Sequence, residues 1–277
     1  MHLLKQVKTY LEKEDYDGLA DLARGQEGRI ASALIGFLTD GQEVVKWRAV
    51  KALGLVAESL FRRDPDRVRT LIRQLIWNLN DESGNIGWGM PEAFGEILAR
   101  IPSLKQEYLR LLTAYLGEEK GLLDHPQLQK GVIWAIGRNR ALDPGSKAKA
   151  LSFLKAALQA KDPSLKGTAV WALGELGVEE ALDDLKSLQR EEEMITLFDG
   201  EHLKALPLGG LAQEAVAKTE RRKTMAENEW KCSNCGYALK ADVPPETCPS
   251  CKQKCEFVNV TCYIPECQTT GVDPRLK

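Results

Sequence analysis

Hydrophobic positions in the first 220 residues follow the spacing of a helix. Four ungapped segments share a pattern that ends in Ala, an apolar residue and Gly. They are 45–54, 86–95, 128–137 and 165–174. In each segment the residues nine, five and one before the closing Gly are apolar or small, which is the spacing of one buried helical face. Each segment is therefore predicted to form a helix with one face in the core.

These segments recur at an interval that suits a repeated pair of helices. Their closing glycines are 41, 42 and 37 residues apart, and a period near 40 is typical of helical repeats. Further amphipathic stretches lie between them, at 68–77, 108–116 and 150–158. Asp-Pro pairs at 64–65, 143–144 and 162–163 are helix-start signals. We find no strand-like alternation before residue 230, so we predict an all-α fold, an α-solenoid over residues 1–220.

The closing glycines carry a prediction of their own. Glycine in a helix costs about 1 kcal/mol relative to alanine, so a glycine that recurs at the same place indicates tight packing or a helix bend. The clearest copy is Ser164–Gly177, which contains Ala-Val-Trp-Ala-Leu-Gly. This pattern resembles the HEAT-like repeats named after phycobilisome (bilin) lyases, over about residues 30–215. The resemblance implies a scaffold with many uses, among which a bilin lyase-like enzyme is the least favoured here.

A second set of positions forms a stripe on the motif helices, which are the helices predicted for the four repeated segments. The residues seven and three before each closing Gly, and the one after it, are spaced i, i+4 and i+8 and lie off the predicted buried face. The stripe carries Trp47, Lys51, Trp88, Glu92, Glu96, Trp134, Arg138, Trp171 and Glu175. Because Trp and Arg are favoured interface anchors, we hypothesise a partner-binding surface. The alternative is that the tryptophans fill space between successive repeats.

The second segment is irregular. Gly84, Gly87, Gly89 and Pro91 crowd its start, so its helix must begin late or kink. Backbone this rich in glycine can approach a ligand closely, and segment 83–91 is therefore a candidate ligand site. The alternative is a distorted repeat that binds nothing.

The composition changes at the end of the chain. All seven cysteines follow residue 231, after a polar stretch, 221–229, that we predict to be a linker or a helix end. Residues 230–277 then form a small separate domain. Its first four cysteines, Cys232, Cys235, Cys248 and Cys251, follow the pattern Cys-x2-Cys, twelve residues, Cys-x2-Cys. Two such knuckles, with backbone N–H groups donating to the sulfurs, give a tetrahedral cage for zinc or a single iron ion; a thiol–disulfide redox pair is the alternative.

Residues around these cysteines carry a second resemblance. Trp-Lys-Cys-x-x-Cys-Gly-Tyr, then Pro-Glu-x-Cys-Pro-x-Cys after the same spacer, resembles the rubredoxin-like domain at the C-terminus of rubrerythrins. The resemblance implies one iron per chain at the four cysteines and transfer of single electrons. Lys252 stands where rubredoxins usually have Gly. Zinc ribbons share the same knuckles, so both metals stay open.

Three more cysteines follow, Cys255, Cys262 and Cys267, and residues 257–261 alternate like a strand. We hypothesise that these three cysteines form a second thiolate metal site whose coordination an outside ligand completes. Equally, they could form a set of redox-active thiols. The alternative is that they are ordinary buried or free cysteines.

Charge and composition narrow the function. The chain has 38 basic and 40 acidic residues, a net charge of −2, so no general attraction to nucleic acid or membranes is expected. It has no apolar run of about 18 residues and no signal-peptide core, and we expect a cytoplasmic protein.

Three scattered histidines offer no hydrolytic motif. We therefore favour a non-catalytic protein-interaction scaffold that exchanges electrons with a docked partner such as a redox enzyme. The alternative is an adaptor with a structural zinc ribbon, and the oligomeric state is left open.

Overall fold

The computed structural model describes residues 2–80, 87–116, 125–140, 142–226, 229–241 and 244–260, with the backbone alone for 223–226. The chain divides into two compact units, Met1–Val216 and Ala217–Lys277.

The first unit is built from helices. They are α1 His2–Lys13, α2 Tyr16–Ala23, α3 Glu27–Phe37, α4 Glu43–Phe61, α5 Pro65–Leu79, α6 Met90–Arg100, α7 Pro102–Ala114, α8 Pro126–Asn139, α9 Pro144–Ala157, α10 Pro163–Leu176 and, after a 3₁₀ turn at Glu179–Ala181, α11 Leu182–Ser187. A last helix, α12 Leu208–Ala226, continues into the second unit. Helices α3 to α10 form four packed pairs, and the second helix of each pair carries one motif segment. The predicted α-solenoid of helical repeats is confirmed.

Proline and aspartate set the starts of several helices. Helices α5, α9 and α10 each begin at a proline that follows an N-cap aspartate, and the aspartate side chain accepts a hydrogen bond from a backbone N–H of the first turn. Proline suits this position because its fixed φ is helical and the N–H it lacks has no partner there. The Asp-Pro pairs therefore mark helix starts, as predicted.

The motif helices α4, α6, α8 and α10 pack side by side in one row, and the closing glycines make this packing close. A methyl group on Gly95 would overlap Ala135, the motif alanine of the next repeat. On Gly137 it would lie 2.9 Å from the Cα of Ala172, the motif alanine after that. The recurring glycine is thus explained by the close approach of neighbouring helices.

One element of the first unit contradicts the sequence analysis. Strands β1 Met194–Phe198 and β2 Leu203–Pro207 form an antiparallel hairpin, so the prediction of no strand before residue 230 is wrong. Each strand has five residues, and within β1 only Ile195 and Leu197 alternate with exposed neighbours. So short an alternation is a weak signal, although Asp199-Gly200 between the strands is a common hairpin turn pair.

Among the helices that the structure describes, none combines the length and the apolar character needed to cross a lipid bilayer.

The second unit contains the end of α12 and a small antiparallel sheet. Strand β3 Glu229–Cys232 lies between β4 Ala238–Lys240 and β5 Phe257–Asn259. Trp230 on β3 donates its indole N–H to the Ala241 carbonyl at 2.8 Å, which ties β3 to the end of β4. Within the predicted linker 221–229, helix α12 occupies the residues up to Ala226, residues 227–228 lie outside the described part, and β3 begins at Glu229. The predicted strand at 257–261 is confirmed as far as Asn259.

Candidate metal centre

The first knuckle is a tight turn at the end of β3. The Gly236 N–H donates to the Cys232 carbonyl at 2.9 Å, and the Cys232 N–H donates to the Tyr237 carbonyl at 2.9 Å. The chain can reverse here because Gly236 has a φ of +73°, a left-handed conformation that costs glycine little. This turn sends the chain back along β4 and leaves Cys232 and Cys235 on the same side.

The second knuckle repeats this backbone pattern. The Lys252 N–H donates to the Cys248 carbonyl at 2.9 Å, and the Cys248 N–H donates to the Gln253 carbonyl at 3.0 Å. Lys252 occupies the place that Gly236 has in the first knuckle, and its φ is +59°. The lysine that departs from the rubredoxin pattern therefore keeps the left-handed turn, at a cost that glycine would not incur.

The two knuckles bring the four predicted cysteines together. Their sulfur atoms all lie within 4.8 Å of one another, and those of Cys235 and Cys248 are 3.6 Å apart. Tetrahedral coordination with metal–sulfur bonds of about 2.3 Å places sulfurs about 3.8 Å apart. Four thiols at this spacing fit one zinc or iron ion. Cys232, Cys235, Cys248 and Cys251 thus form a metal-binding site.

Backbone N–H groups point at the sulfurs, as the knuckle motif predicts. Donation from the Cys235 N–H, together with contact from the Cys255 thiol, lowers the pKa of Cys232 to about 6. The Gln253 N–H likewise lowers the pKa of Cys251. At Cys235 the Tyr237 N–H acts in the same direction, but loss of hydration and the adjacent thiols prevail and raise its pKa to about 11. Metal binding requires deprotonated sulfurs, so a bound cation would displace the protons that these thiols carry.

Asn234 is a member of the site that the sequence analysis missed. Its side-chain amide lies 3.7 Å from the Cys251 sulfur and donates to the Gln253 side-chain oxygen at 2.7 Å. An amide that points at a ligand sulfur tunes the charge on that sulfur. It also joins the first knuckle to the second. Its position between Cys232 and Cys235 was the available signal, but that position alone does not show which way the amide faces.

Of the three additional cysteines, Cys255 is described and Cys262 and Cys267 lie outside the described residues. The Cys255 sulfur is 3.1 Å from that of Cys232, so it borders the four-cysteine site. Contact with Cys232 raises the pKa of Cys255 to about 12. The hypothesis that Cys255, Cys262 and Cys267 form a second thiolate site completed by an outside ligand, or a set of redox-active thiols, stays a prediction.

In the first unit the structure corrects the predicted partner-binding stripe. The stripe side chains Trp47, Trp134 and Trp171 are at most 4% exposed. Phe198 of the hairpin stacks on Trp47, with ring centroids 4.8 Å apart, and the Trp134 indole N–H donates to the Phe198 carbonyl at 2.6 Å. The prediction that these three residues lie off the buried face is wrong, because Phe198 of the hairpin packs on Trp47 and Trp134, and Trp134 in turn stacks on Trp171.

The acidic members of the stripe are buried as well. Glu92, Glu96 and Glu175 are each at most 4% exposed, although charged columns had suggested solvent. Each has a cation from a neighbouring repeat: Lys46 lies 2.6 Å from Glu92, Arg138 lies 2.7 Å from Glu96, and Arg140 lies 2.7 Å from Glu175. A buried carboxylate is tolerated when it is paired in this way. Lys51 and Arg138 remain partly accessible, and Lys51 is paired with Glu201 of the hairpin turn.

The irregular second repeat begins its helix late, as predicted. Helix α6 starts at Met90, and Gly89 before it has a φ of +75°. Trp88 is half-buried and meets the His125 ring edge-on, with centroids 4.5 Å apart. Residues 83–86 of the candidate ligand segment lie outside the described residues, so the ligand hypothesis stays a prediction.

Comparison with known families agrees with both parts of the chain. Residues 119–195 match the model of HEAT repeats, and residues 230–257 match the rubredoxin-like domain of rubrerythrin. The second match includes all four cysteines of the metal site. The chain thus carries HEAT repeats and a rubredoxin-like metal-binding module.

Similar solved structures include designed repeat proteins. A designed armadillo repeat protein is 18% identical, with a TM-score of 0.46 over 78% of this chain and 91% of its own. Computationally designed armadillo repeat proteins for modular peptide recognition are 20% identical, with a TM-score of 0.39 over 78% of this chain and 99% of theirs. An engineered protein is 15% identical, with a TM-score of 0.44 over 80% and 97%. No curated protein matches the sequence.

Proposed function

We propose that this protein is a docking scaffold that holds one iron ion in its four-cysteine site and exchanges single electrons with a bound redox protein. The match of residues 230–257 to a rubredoxin-like domain carries the proposal. Iron held by four thiolates supplies one-electron chemistry, whereas zinc does not change its oxidation state.

The surroundings of the sulfurs support this role. N–H donors reach Cys232, Cys235 and Cys251, and hydrogen bonds to the sulfurs are among the factors that set the potential of iron–thiolate centres. Cys232 and Cys248 are buried, whereas Cys235 is exposed. A ligand sulfur at the surface gives a partner close access to the centre, so electrons need not cross the module.

The helical repeats supply the scaffold part of the proposal. Solenoids of stacked helix pairs offer long surfaces for protein partners. Because Trp47, Trp134 and Trp171 of the stripe are buried, the partner is expected to use another face of the repeats.

Metal analysis tests the proposal. Full-length protein expressed without added metal and purified without oxygen is expected to contain about one iron per chain, in the single-ion site that four thiolates form. It should absorb visible light, and the colour should bleach on reduction and return on oxidation. The Cys235→Ser variant should lose the colour and Cys255→Ser should keep it. Stoichiometric zinc in native protein would refute electron transfer and leave an adaptor with a structural zinc module.

A further inference from the structure

The metal module contains a fifth thiol in contact with one of its ligands. The sulfurs of Cys232 and Cys255 are 3.1 Å apart. That separation is shorter than the roughly 3.8 Å expected between two ligands of one tetrahedral ion. It is also shorter than the 3.6 Å between Cys235 and Cys248. Cys255 is therefore placed against a ligand sulfur, and it does not occupy a corner of the cage.

The backbone fixes this contact. Cys232 is the register partner of Phe257 in the β3–β5 pair, and the Ser233 N–H donates to the Glu256 carbonyl at 3.0 Å. Cys255 directly precedes these paired residues, so the sheet holds it beside the end of β3. Its sulfur also lies 3.4 Å from the Gln253 carbonyl. The proximity of the two thiols thus follows from strand pairing.

The two sulfurs differ in accessibility. Cys232 is 2% exposed, whereas Cys255 is only partly buried. Cys255 is also outside the set of four ligands, so a bound metal does not occupy its sulfur. Of these two sulfurs, a small oxidant therefore meets Cys255 first, and the buried ligand Cys232 lies 3.1 Å from it.

We propose that Cys232 and Cys255 form an oxidation site at which a hydroperoxide makes a disulfide and thereby releases the metal. The Cys255 thiol first gives up its proton, and the thiolate attacks the peroxide O–O bond. The sulfur keeps one OH as a sulfenic acid, and with hydrogen peroxide the other oxygen leaves with the released proton as one water. The Cys232 sulfur then attacks the sulfenic sulfur, and the S–S bond forms as the hydroxyl leaves as a second water with a proton from solvent. The two sulfurs lose two electrons, and the two peroxide oxygens gain them.

Metal release follows from the loss of one ligand. The disulfide removes Cys232 from the cage, and three thiolates do not complete the tetrahedral S4 site. A thiol reductant would reverse the reaction and restore the four ligands. The proposal requires metal binding at the four cysteines but not electron transfer, so it applies to zinc and iron alike.

The test uses the full-length chain loaded with zinc, because zinc is redox-inert and all oxidation then falls on sulfur. Cys262 and Cys267 are changed to serine in every sample, so that Cys255 is the single cysteine outside the four ligands. Substoichiometric to stoichiometric hydrogen peroxide is added, and zinc release is followed with a chromophoric chelator. The matched variant is Cys255→Ser, which removes the fifth thiol and leaves every ligand in place.

The proposal predicts about one zinc released per peroxide consumed, rebinding of zinc after reduction, and release at least about tenfold slower in the Cys255→Ser variant. Trypsin separates the two cysteines, because Lys240, Lys252 and Lys254 lie between them. Mass spectrometry should find the peptide that begins at Cys232 joined through that residue to the one that begins at Cys255. Equal release in both proteins, or a disulfide between two of the four ligands, would overturn the proposal. Failure to find iron in native protein would leave it intact.

Discussion

The packing of the hairpin on Trp47 and Trp134 can be tested by removing the ring of Phe198. Phe198 is 2% exposed; its ring stacks on Trp47 at 4.8 Å and lies 5.9 Å from that of Trp134. The Phe198→Ala variant deletes the ring but keeps the backbone carbonyl that accepts the Trp134 N–H. It therefore isolates the packing of the hairpin on the motif helices.

The expected loss follows from these contacts. Burial of a phenylalanine side chain contributes about 1.5–3 kcal/mol, and each aromatic pair adds about 0.5–1.5 kcal/mol. With two ring partners the sum is about 2.5–6 kcal/mol, a range that contains the losses of about 3–5 kcal/mol measured for Phe→Ala changes in protein cores. In a unit of this size such a loss lowers Tm by roughly 6–20 °C.

Thermal unfolding followed by the circular dichroism of the helices measures this loss. The Trp77→Ala variant is a matched control, since Trp77 is 75% exposed and its removal should change stability by less than about 0.5 kcal/mol. The Phe198→Leu variant keeps an apolar side chain and should lose about 1–3 kcal/mol through the two missing ring contacts. Tryptophan emission of Phe198→Ala should shift to the red, because the rings under the hairpin meet water.

The reasoning would be refuted by a Phe198→Ala protein that melts within about 2 °C of the parent with unchanged emission, since that corresponds to less than about 1 kcal/mol. Such a result would mean that the hairpin does not pack on the motif helices in solution. The stripe would then be open, and the partner-binding hypothesis for it would return.

Three further predictions concern single residues. Glu96 is fully buried between two arginines that are 17% and 22% exposed, so Glu96→Gln should cost about 2–3 kcal/mol in urea unfolding, and a loss under 0.5 kcal/mol would contradict the pairing. The Lys252→Gly variant should lose zinc to a chelator a few-fold more slowly than the parent, because a left-handed lysine costs about 1 kcal/mol or more. The Gly236→Lys variant should lose zinc faster for the same reason. Equal rates in the parent and both variants would argue against a left-handed turn in the knuckles. In iron-reconstituted protein Asn234→Ala should lower the potential by on the order of tens of millivolts through the lost N–H at a ligand sulfur, whereas Gln253→Ala, which keeps that N–H, should leave it near the parent value.

The solenoid could be predicted because its signals repeat. An alanine-apolar-glycine ending every 37 to 42 residues reports a helix face and a close neighbour at once, and Gly95 against Ala135 shows the contact that this pattern encodes. Asp-Pro pairs mark helix starts through local geometry alone. The metal site could also be predicted from the sequence, because a Cys-x2-Cys knuckle fixes its own turn and needs only a second knuckle opposite to form the site.

The burial of the stripe could not be predicted, because it depends on a contact distant in sequence. Trp134 and Phe198 are 64 residues apart, and nothing near Trp134 shows that a hairpin will cover it. The charged residues of the stripe were wrongly expected to be exposed for a related reason. Glu96 indicates a solvated position until Arg138 of the next repeat is placed beside it, and side-chain pairing between repeats is not part of a helical period.

Lys252 shows how a departure from a family pattern is best interpreted. The residue type weakens the rubredoxin resemblance, since a glycine is usual at this position. The backbone does not, because Lys252 and Gly236 share the left-handed φ, the N–H donation to the first cysteine of the knuckle and the place four residues after it. A position that keeps its conformation although the residue that favours it has been replaced is held by its surroundings. Here the antiparallel bridge between Thr247 and Lys254 closes the knuckle from both sides. The turn is therefore a property of the paired backbone, and the metal cage survives the substitution.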